Sequence, residues 1–302
     1  MTQNYKIIGN GPVDIVVELG LGSCLAEWLP MARMLSGEGH TILLYERFGI
    51  NQSPPARNPR TPWNIAEELY QMLSKIPHKG KIILLAHSQG GLYAQQFCRR
   101  YPELVEKLIL LDPLSARDND FKEKLSKKEY RSSGVDKSGS FRVMKTLARL
   151  HLGEITKKLM KSAPPFYYYH EYSEEETEEM LGAYTKVLHA GTALEEYEQA
   201  HKRENVEMLQ KKDGFPEIPL ILITHSPELA IRENMEFGRN ARAFAERIET
   251  MWQEQMKQYL KFSPQSVWIQ AEKSTHYIHL MEPERILWAV RRDVCSINAR
   301  MQ

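Results

Sequence analysis

Six short apolar segments recur along the chain, and each has the pattern of a strand that is buried on both faces. The segments are residues 14–18, 41–45, 81–86, 106–111, 219–224 and 266–270. Strand-forming residues run almost without interruption in them, which is typical of a parallel sheet covered by helices on both sides. The pattern therefore predicts an α/β protein.

Helical patterns separate most of these strands. Thr61 followed by Pro62 is a strong helix start, because Thr caps the first turn and Pro is preorganised for its first position. Residues 90–100 predict another helix that stops near Pro102, and a last helix is predicted to begin near Pro283. The alternation of strands and helices predicts a parallel sheet with right-handed crossovers.

The alternation stops between residues 113 and 217, where buried strand patterns are lacking and helical spacing prevails. Ser173 and Thr192 are each followed three residues later by Glu, the signature of a capping box. We therefore predict a core formed by residues 1–112 and 218–302, with residues 113–217 inserted as an all-helical cap.

Ser88 lies on a sharp turn between the strand at 81–86 and the helix at 90–100. Such a turn exposes a serine hydroxyl above the edge of the sheet and aims the start of the helix at a bound group. Gly90 and Gly91 suit the tight turn and the close packing of helix on strand. Ser88 is therefore a candidate nucleophile; the alternative is a serine at the start of a nucleotide-binding helix.

This strand–turn–helix motif and nearly the whole chain resemble the α/β-hydrolase fold family, most closely its esterase-like members with a helical cap. Ala86 stands where the family pattern has glycine. Residues 46–53 resemble the family's Asp-Arg-x-Gly-x-Gly-x-Ser loop, with Glu46 in place of the aspartate and Asn51 in place of the second glycine. We interpret this loop as structural.

The resemblance implies a mostly parallel twisted sheet flanked by helices, with the cap inserted over the active-site edge. It also places the oxyanion hole on the backbone N–H groups of Leu21 and Gln89. The family often has His-Gly before the first of these donors, whereas this chain has Leu19 and Gly20. A backbone donor tolerates that change.

A serine hydroxyl needs a base to become a nucleophile at neutral pH. His276 follows the last predicted strand and precedes the terminal helix, where the family keeps its catalytic histidine. His279 is the competitor, but in an extended segment it points away from His276. His87 is predicted to point away from Ser88, and His225 to be structural or at the edge of the pocket.

Two carboxylates compete for the third position of the triad. Asp112 directly follows the strand at 106–111, as in a minority of the family, and Glu228 lies four residues beyond the strand at 219–224. The acid orients the imidazole of His276 and stabilises its charged form. We favour Asp112 and expect one of its oxygens about 2.6–3.2 Å from His276 Nδ1. A structural, loop-fixing Asp112 is the alternative.

Aromatic residues offer walls for a substrate pocket. Trp28 is a candidate for its floor, although a tryptophan of the core fits the pattern equally well. In the cap, Phe166, Tyr167, Tyr168 and Tyr169 form a cluster that lines either the pocket or the interior of the cap.

Composition narrows the possible functions. The 302 residues carry a net charge of +1, which gives no reason to expect nucleic acid as a partner. Cys24, Cys98 and Cys295 are far apart and show neither metal-ligand spacing nor a disulfide framework. No membrane span, signal peptide, metal site or cofactor motif is expected. The default compartment is the cytoplasm, and the oligomeric state is open.

Together these patterns predict a serine hydrolase that cleaves a small carboxylic ester or related acyl compound through an acyl-enzyme, with no cofactor. The same residues serve in carbon–carbon bond hydrolases and acyltransferases, so these remain alternatives. A protein that binds a small molecule in a capped pocket without useful turnover is an alternative of another class.

Overall fold

Seven strands form a single sheet in the structure, a computed structural model that describes residues 2–211 and 214–292. The strands are β1 (Tyr5–Ile8), β2 (Val13–Glu18), β3 (Ile42–Tyr45), β4 (His78–His87), β5 (Val105–Leu111), β6 (Leu220–Thr224) and β7 (Ser266–Gln270). Their order is β1-β3-β2-β4-β5-β6-β7. All neighbours pair in parallel except β1 and β3. The predicted fold class is therefore confirmed.

The six predicted strands are all present, and β1 is an addition at the edge of the sheet. Its residues 5–7 are exposed, so the segment lacks the apolar run that marks the other strands. In contrast, every residue of β2, β3 and β6 is buried. Two large apolar clusters cover the opposite faces of the sheet, which explains why the central strands are apolar on both sides.

Five helices lie before β5 or after β7 among the described residues, and those at residues 62–73, 90–100 and 283–291 lie where the pattern predicts them. The five are α1 (Leu25–Gly37), α2 (Pro62–Leu73), α3 (Gly90–Arg100), the short α13 (Ile278–Met281) and α14 (Pro283–Arg291), with 3₁₀ turns at Pro102–Leu104 and Tyr259–Lys261. Thr61 caps α2 as predicted, because its side chain accepts a hydrogen bond from the Asn64 N–H.

Seven helices lie between β5 and β6 among the described residues. They are α4 (Asn119–Lys124), α5 (Lys127–Ser132), α6 (Ser138–Arg149), α7 (Gly153–Lys161), α8 (Glu174–Ala183), α9 (Val187–Ala200) and α10 (Arg203–Gln210). The capping box at Ser173 is confirmed, whereas the one predicted at Thr192 is wrong because Thr192 lies inside α9. A further capping box begins α5 at Ser126. The division into core and cap stays a prediction.

Two more helices, α11 (Pro227–Gly238) and α12 (Arg242–Met256), lie between β6 and β7. They bond to the inserted helices: the side-chain amides of Asn234 and Asn240 donate to the carbonyls of Ser133 and Ser132. Hydrogen bonds thus join the segment between β6 and β7 to the helices between β5 and β6.

Two observations bear on membranes and cysteines. Within the described residues no helix has both the length and the apolar character that a membrane span requires. Cys24 and Cys98 are buried and free. Cys295 lies outside the described residues.

Candidate active site

Ser88 lies between β4 and α3 in a left-handed backbone conformation, with φ of +53°. Only strong local constraints hold a residue with a side chain there. One constraint is the Ser88 N–H, which donates to the Leu111 carbonyl at 3.0 Å. Another is Gly90: a Cβ at this position would lie 2.5 Å from the Glu18 oxygen, so only glycine lets α3 approach β2 this closely.

Asp112 follows β5 directly and also has a left-handed backbone, with φ of +45°. Its carboxylate is buried, and Oδ2 accepts a hydrogen bond from His276 Nδ1 at 2.6 Å. The parallel sheet explains the contact, because β4, β5 and β7 all deliver their C-terminal residues to one edge. The distance lies within the range that we expected for this pair.

Glu228 lies in the first turn of α11 and points to solvent. Its carboxylate pairs with Arg232 at 2.9 Å and with Arg242 at 2.7 Å, and 43% of its side chain is exposed. The alternative acid is therefore occupied elsewhere, while Asp112 holds the contact with His276.

A second histidine binds Asp112 from the other side. His225 Nδ1 lies 2.7 Å from Asp112 Oδ1, and its Nε2 lies 3.1 Å from Glu249 Oε2 of α12. The His225 ring also packs on Trp252, with ring centroids 4.2 Å apart. His225 is predicted to be structural or at the edge of the pocket. Its partner Glu249 is not predicted, because nothing in the sequence pairs the residue after β6 with a residue of α12.

The charges in this group shift each other's pKa. Burial by itself lowers the pKa of His225, but the carboxylates of Asp112 and Glu249 outweigh it and raise the pKa to about 10. Burial likewise opposes ionisation of Asp112, yet the charge of His225 and the hydrogen bonds from His225 and His276 hold its pKa far below the usual range. At neutral pH, a buried imidazolium thus lies between two carboxylates.

We expect His225→Gln to lower the free energy of unfolding by about 3–5 kcal/mol, because it removes the cation that compensates two buried carboxylates. The His225 pKa of about 10 in the folded protein exceeds its ordinary 6.5, so this stabilisation is complete below pH 6.5 and disappears as the pH rises through 10. Urea unfolding at a series of pH values measures it. The half-exposed His78, changed to Gln, is the control; equal losses in both variants would contradict the prediction.

The backbone around Leu21 and Gln89 fits the expected oxyanion hole. Within the described residues neither N–H has a hydrogen-bond acceptor, so both are free to bind a ligand. Gly20 packs directly against the serine: a Cβ added there would lie 3.3 Å from Ser88 Cβ. The loop is therefore held next to Ser88 by close backbone packing.

Arg47 fixes the backbone of the loop at residues 19–21. Its guanidinium donates to the carbonyls of Leu19 at 2.7 Å and Gly20 at 2.9 Å. It also forms a two-bond contact with Glu196 of α9, at 2.8 Å for each bond, and a bond of the same length to Glu18. All these groups are buried, so one arginine joins the loop, the sheet and an inserted helix. The interpretation of the 46–53 loop as structural agrees with these contacts.

His276 and Ser88 are not hydrogen-bonded to each other among the described residues. The imidazole of His276 is 36% exposed and its ring centroid lies 4.5 Å from that of His87. Contacts of this kind often tighten only when substrate is bound.

The competing histidines lie beneath the site. His87 points away from the serine as predicted, since its Nε2 donates to the His276 carbonyl at 2.9 Å. His279 is 1% exposed and stacks on Trp28 with ring centroids 4.0 Å apart. Burial lowers the pKa of both imidazoles well below the ordinary value and raises the pKa of the neighbouring Glu27.

The candidate pocket residues divide into two groups. Trp28 is fully buried in a core cluster, which agrees with the alternative of a core tryptophan. Phe166 is 8% exposed and packs with Met180 and Leu181 of α8 and with Ala26 of α1. A role of either ring in substrate binding stays a prediction.

The three tyrosines lie nearer the surface. Tyr167 and Tyr168 donate to Glu236 and Glu233 of α11, at 2.7 and 2.8 Å. Tyr169 packs edge-on against Tyr172. Glu233 belongs to the lining of a cleft beside His276, so Tyr168 borders that cleft through its hydrogen bond.

This cleft has a volume of about 280 Å³ and extends from Asp112 and His276 towards α11. Its lining also includes Ser133, Lys137, His225, Glu233, Asn234, Phe237 and Trp252. Ser88 lies outside the lining. The open space therefore adjoins the imidazole, and both apolar and charged side chains face it.

The sequence pattern for the α/β hydrolase fold matches residues 15–132. The chain has the α/β-hydrolase fold. The matched part of that fold contains Ser88 and Asp112, while His276 lies beyond it. A probable hydrolytic enzyme from Pseudomonas aeruginosa shares the α/β-hydrolase fold at 17% identity, with a TM-score of 0.63 over 95% of this chain and 87% of that one.

Two relatives by sequence differ in how much of this chain they match. The uncharacterized protein YqjL of Bacillus subtilis is 24% identical over 300 residues, which is 98% of this chain and 88% of the relative. The proline iminopeptidase of Saccharolobus solfataricus is 29% identical over 114 residues, 37% of this chain and 36% of its own length. Hydrolases are thus among the chain's relatives.

Proposed function

We propose that the chain is a serine hydrolase that cleaves a small carboxylic ester or related acyl compound. The observation that carries the proposal is the 2.6 Å bond between Asp112 and His276 at the sheet edge that also bears Ser88 on its left-handed turn. The chain order of nucleophile, acid and base is typical of the fold.

In the proposed mechanism, His276 accepts the proton of Ser88 as the hydroxyl oxygen attacks the ester carbonyl. The N–H groups of Leu21 and Gln89 stabilise the oxyanion. The carbon–oxygen bond then breaks, and the departing alcohol takes the proton from His276. Water, deprotonated by His276, attacks the acyl-enzyme and releases the acid, and the proton returns to Ser88.

Labelling of one sample with a fluorophosphonate, and turnover of p-nitrophenyl acetate by a second, unlabelled sample, test the proposal. We expect stoichiometric labelling of Ser88, repeated release of nitrophenol by the unlabelled protein, and loss of turnover after labelling, because the label blocks the nucleophile. Labelling without turnover would instead favour a protein that binds its ligand and does not turn it over. Adding an alcohol acceptor distinguishes hydrolysis from acyl transfer, because only transfer yields a new ester.

The cleft beside His276 is the proposed place for part of the substrate. Replacing Tyr168 by Ala removes the ring that is hydrogen-bonded to Glu233 in the cleft lining. We expect the ratio of kcat/KM between short and long acyl chains to change by about tenfold, because a hydrophobic pocket contact contributes on that scale. Tyr169→Ala is the matched control, since Tyr169 packs against Tyr172, outside that lining. An identical chain-length preference in all three proteins would exclude Tyr168 from substrate selection.

A further inference from the structure

A buried polar cluster lies directly beneath the Ser88 turn, formed by Glu27, His87 and His279. Glu27 comes from α1, His87 is the last residue of β4, and His279 belongs to α13. Their exposed fractions are 4%, 3% and 1%. Carboxylates and imidazoles are buried only when hydrogen bonds, opposite charges or a bound ion compensate the loss of water.

Protein partners leave the imidazole nitrogens of the cluster mostly unsatisfied. Within the described residues His87 Nδ1 and both ring nitrogens of His279 lack a hydrogen-bond partner. The Ser23 hydroxyl and the Trp28 indole N–H lie close enough to Glu27 to stabilise its carboxylate. Three unpartnered imidazole nitrogens beside a buried carboxylate indicate a bound group that the protein surrounds.

The three side chains are spaced as ligands of one ion. One ligand atom from each lies within 4.8 Å of the other two. His279 Nε2 and Glu27 Oε1 are 3.3 Å apart. Two ligands at zinc-bond lengths of about 2.0–2.2 Å in a tetrahedron are about 3.4 Å apart, so the pair of Glu27 and His279 already has this spacing. The wider spacing within the cluster, up to 4.8 Å, closes by side-chain movement when the ion binds.

We propose that Glu27, His87 and His279 bind a divalent cation of the zinc type. Two imidazoles and a carboxylate are a common donor set for zinc, and water takes the fourth position. The bond from His87 Nε2 to the His276 carbonyl, 2.9 Å long, leaves Nδ1 as the nitrogen with a free lone pair. A metal-binding histidine usually donates its other N–H to such an acceptor.

The cation would connect the two segments that bear Ser88 and His276. His87 is covalently next to Ser88, and its ring holds the backbone of His276. The stacking of Trp28 on His279, with ring planes 4° apart, orients the third ligand. The three side chains are buried below the turn, so the cation would position the turn and would not contact substrate. The proposed cation site therefore does not depend on whether the chain cleaves esters.

Equilibrium dialysis of the metal-stripped full chain against Zn²⁺, with bound metal determined by mass spectrometry, tests the proposal. We expect one Zn²⁺ per chain and a rise in melting temperature with added Zn²⁺. Glu27→Gln and His279→Gln keep the size of each side chain and are expected to raise the Kd by about tenfold or more. His189→Gln is the matched control, because His189 is equally buried and also has an unpartnered Nε2.

Binding of Co²⁺ to the wild-type chain provides a readout that needs no variant. A tetrahedral site gives intense visible absorption, and Zn²⁺ is expected to abolish it in competition. Absence of stoichiometric Zn²⁺ binding, or equal affinity in the wild type, Glu27→Gln and His279→Gln, would overturn the proposal and assign the unpartnered atoms to buried water. If the variants do not fold, the Co²⁺ spectrum of the wild type decides.

Discussion

Replacing Ser88 by alanine is expected to lower kcat for ester hydrolysis by about 10³–10⁶-fold, the range found when the nucleophile of a catalytic triad is removed. Without the hydroxyl no acyl-enzyme forms, and the remaining donors at Leu21 and Gln89 only polarise the carbonyl for attack by water. Alanine tolerates the turn no worse than serine, because both carry the Cβ that makes φ of +53° unfavourable. Steady-state kinetics with p-nitrophenyl acetate measures the loss.

Ser115→Ala serves as the matched control for this variant. Ser115 is buried, and its hydroxyl accepts a hydrogen bond from the Arg117 N–H, away from His276. We expect it to keep most of its activity. The assignment of Ser88 would be wrong if Ser88→Ala, with unchanged circular dichroism, retained more than a tenth of wild-type turnover.

The second large effect is expected from Asp112→Asn, which should reduce kcat by about 10⁴-fold, as in the serine proteases. The reason is that the amide no longer fixes the tautomer of His276 that accepts the serine proton. Asp112 also faces His225, so the variant is expected to be less stable; kinetics is therefore measured at a temperature where unfolding curves show it folded.

Glu228→Gln distinguishes a catalytic from a structural carboxylate. Its partners Arg232 and Arg242 lie at the surface, and exposed ion pairs contribute only about 0–1 kcal/mol. We expect near wild-type kcat. A strong loss in Glu228→Gln together with a mild effect in folded Asp112→Asn would transfer the role of the acid to Glu228.

The sequence by itself determines the sheet and the place of Ser88. Strands that are buried on both faces need continuous apolar runs, and such runs predict six of the seven strands. The edge strand β1 escaped because its exposed residues carry no such run. The turn at Ser88 was predictable because its constraints are local: a strand end, two glycines and a helix start within a few residues.

Only the tertiary structure decided which side chains meet. Asp112 and Glu228 both follow strands, and what separates them is that the left-handed backbone of Asp112 turns its carboxylate to His276, while α11 carries Glu228 to the surface. Trp28 was equally consistent with pocket and core until the packing of α1 placed it in the core.

Other contacts were equally invisible in the sequence. They are the pairs of His225 with Glu249 and of Arg47 with Glu196, and the cluster of Glu27, His87 and His279. Each joins segments that are far apart in the chain, and each owes its contacts to the way helices dock on the sheet. Local patterns of burial record which face of an element is covered. They do not record which buried charge finds which partner, because that depends on the relative placement of whole elements.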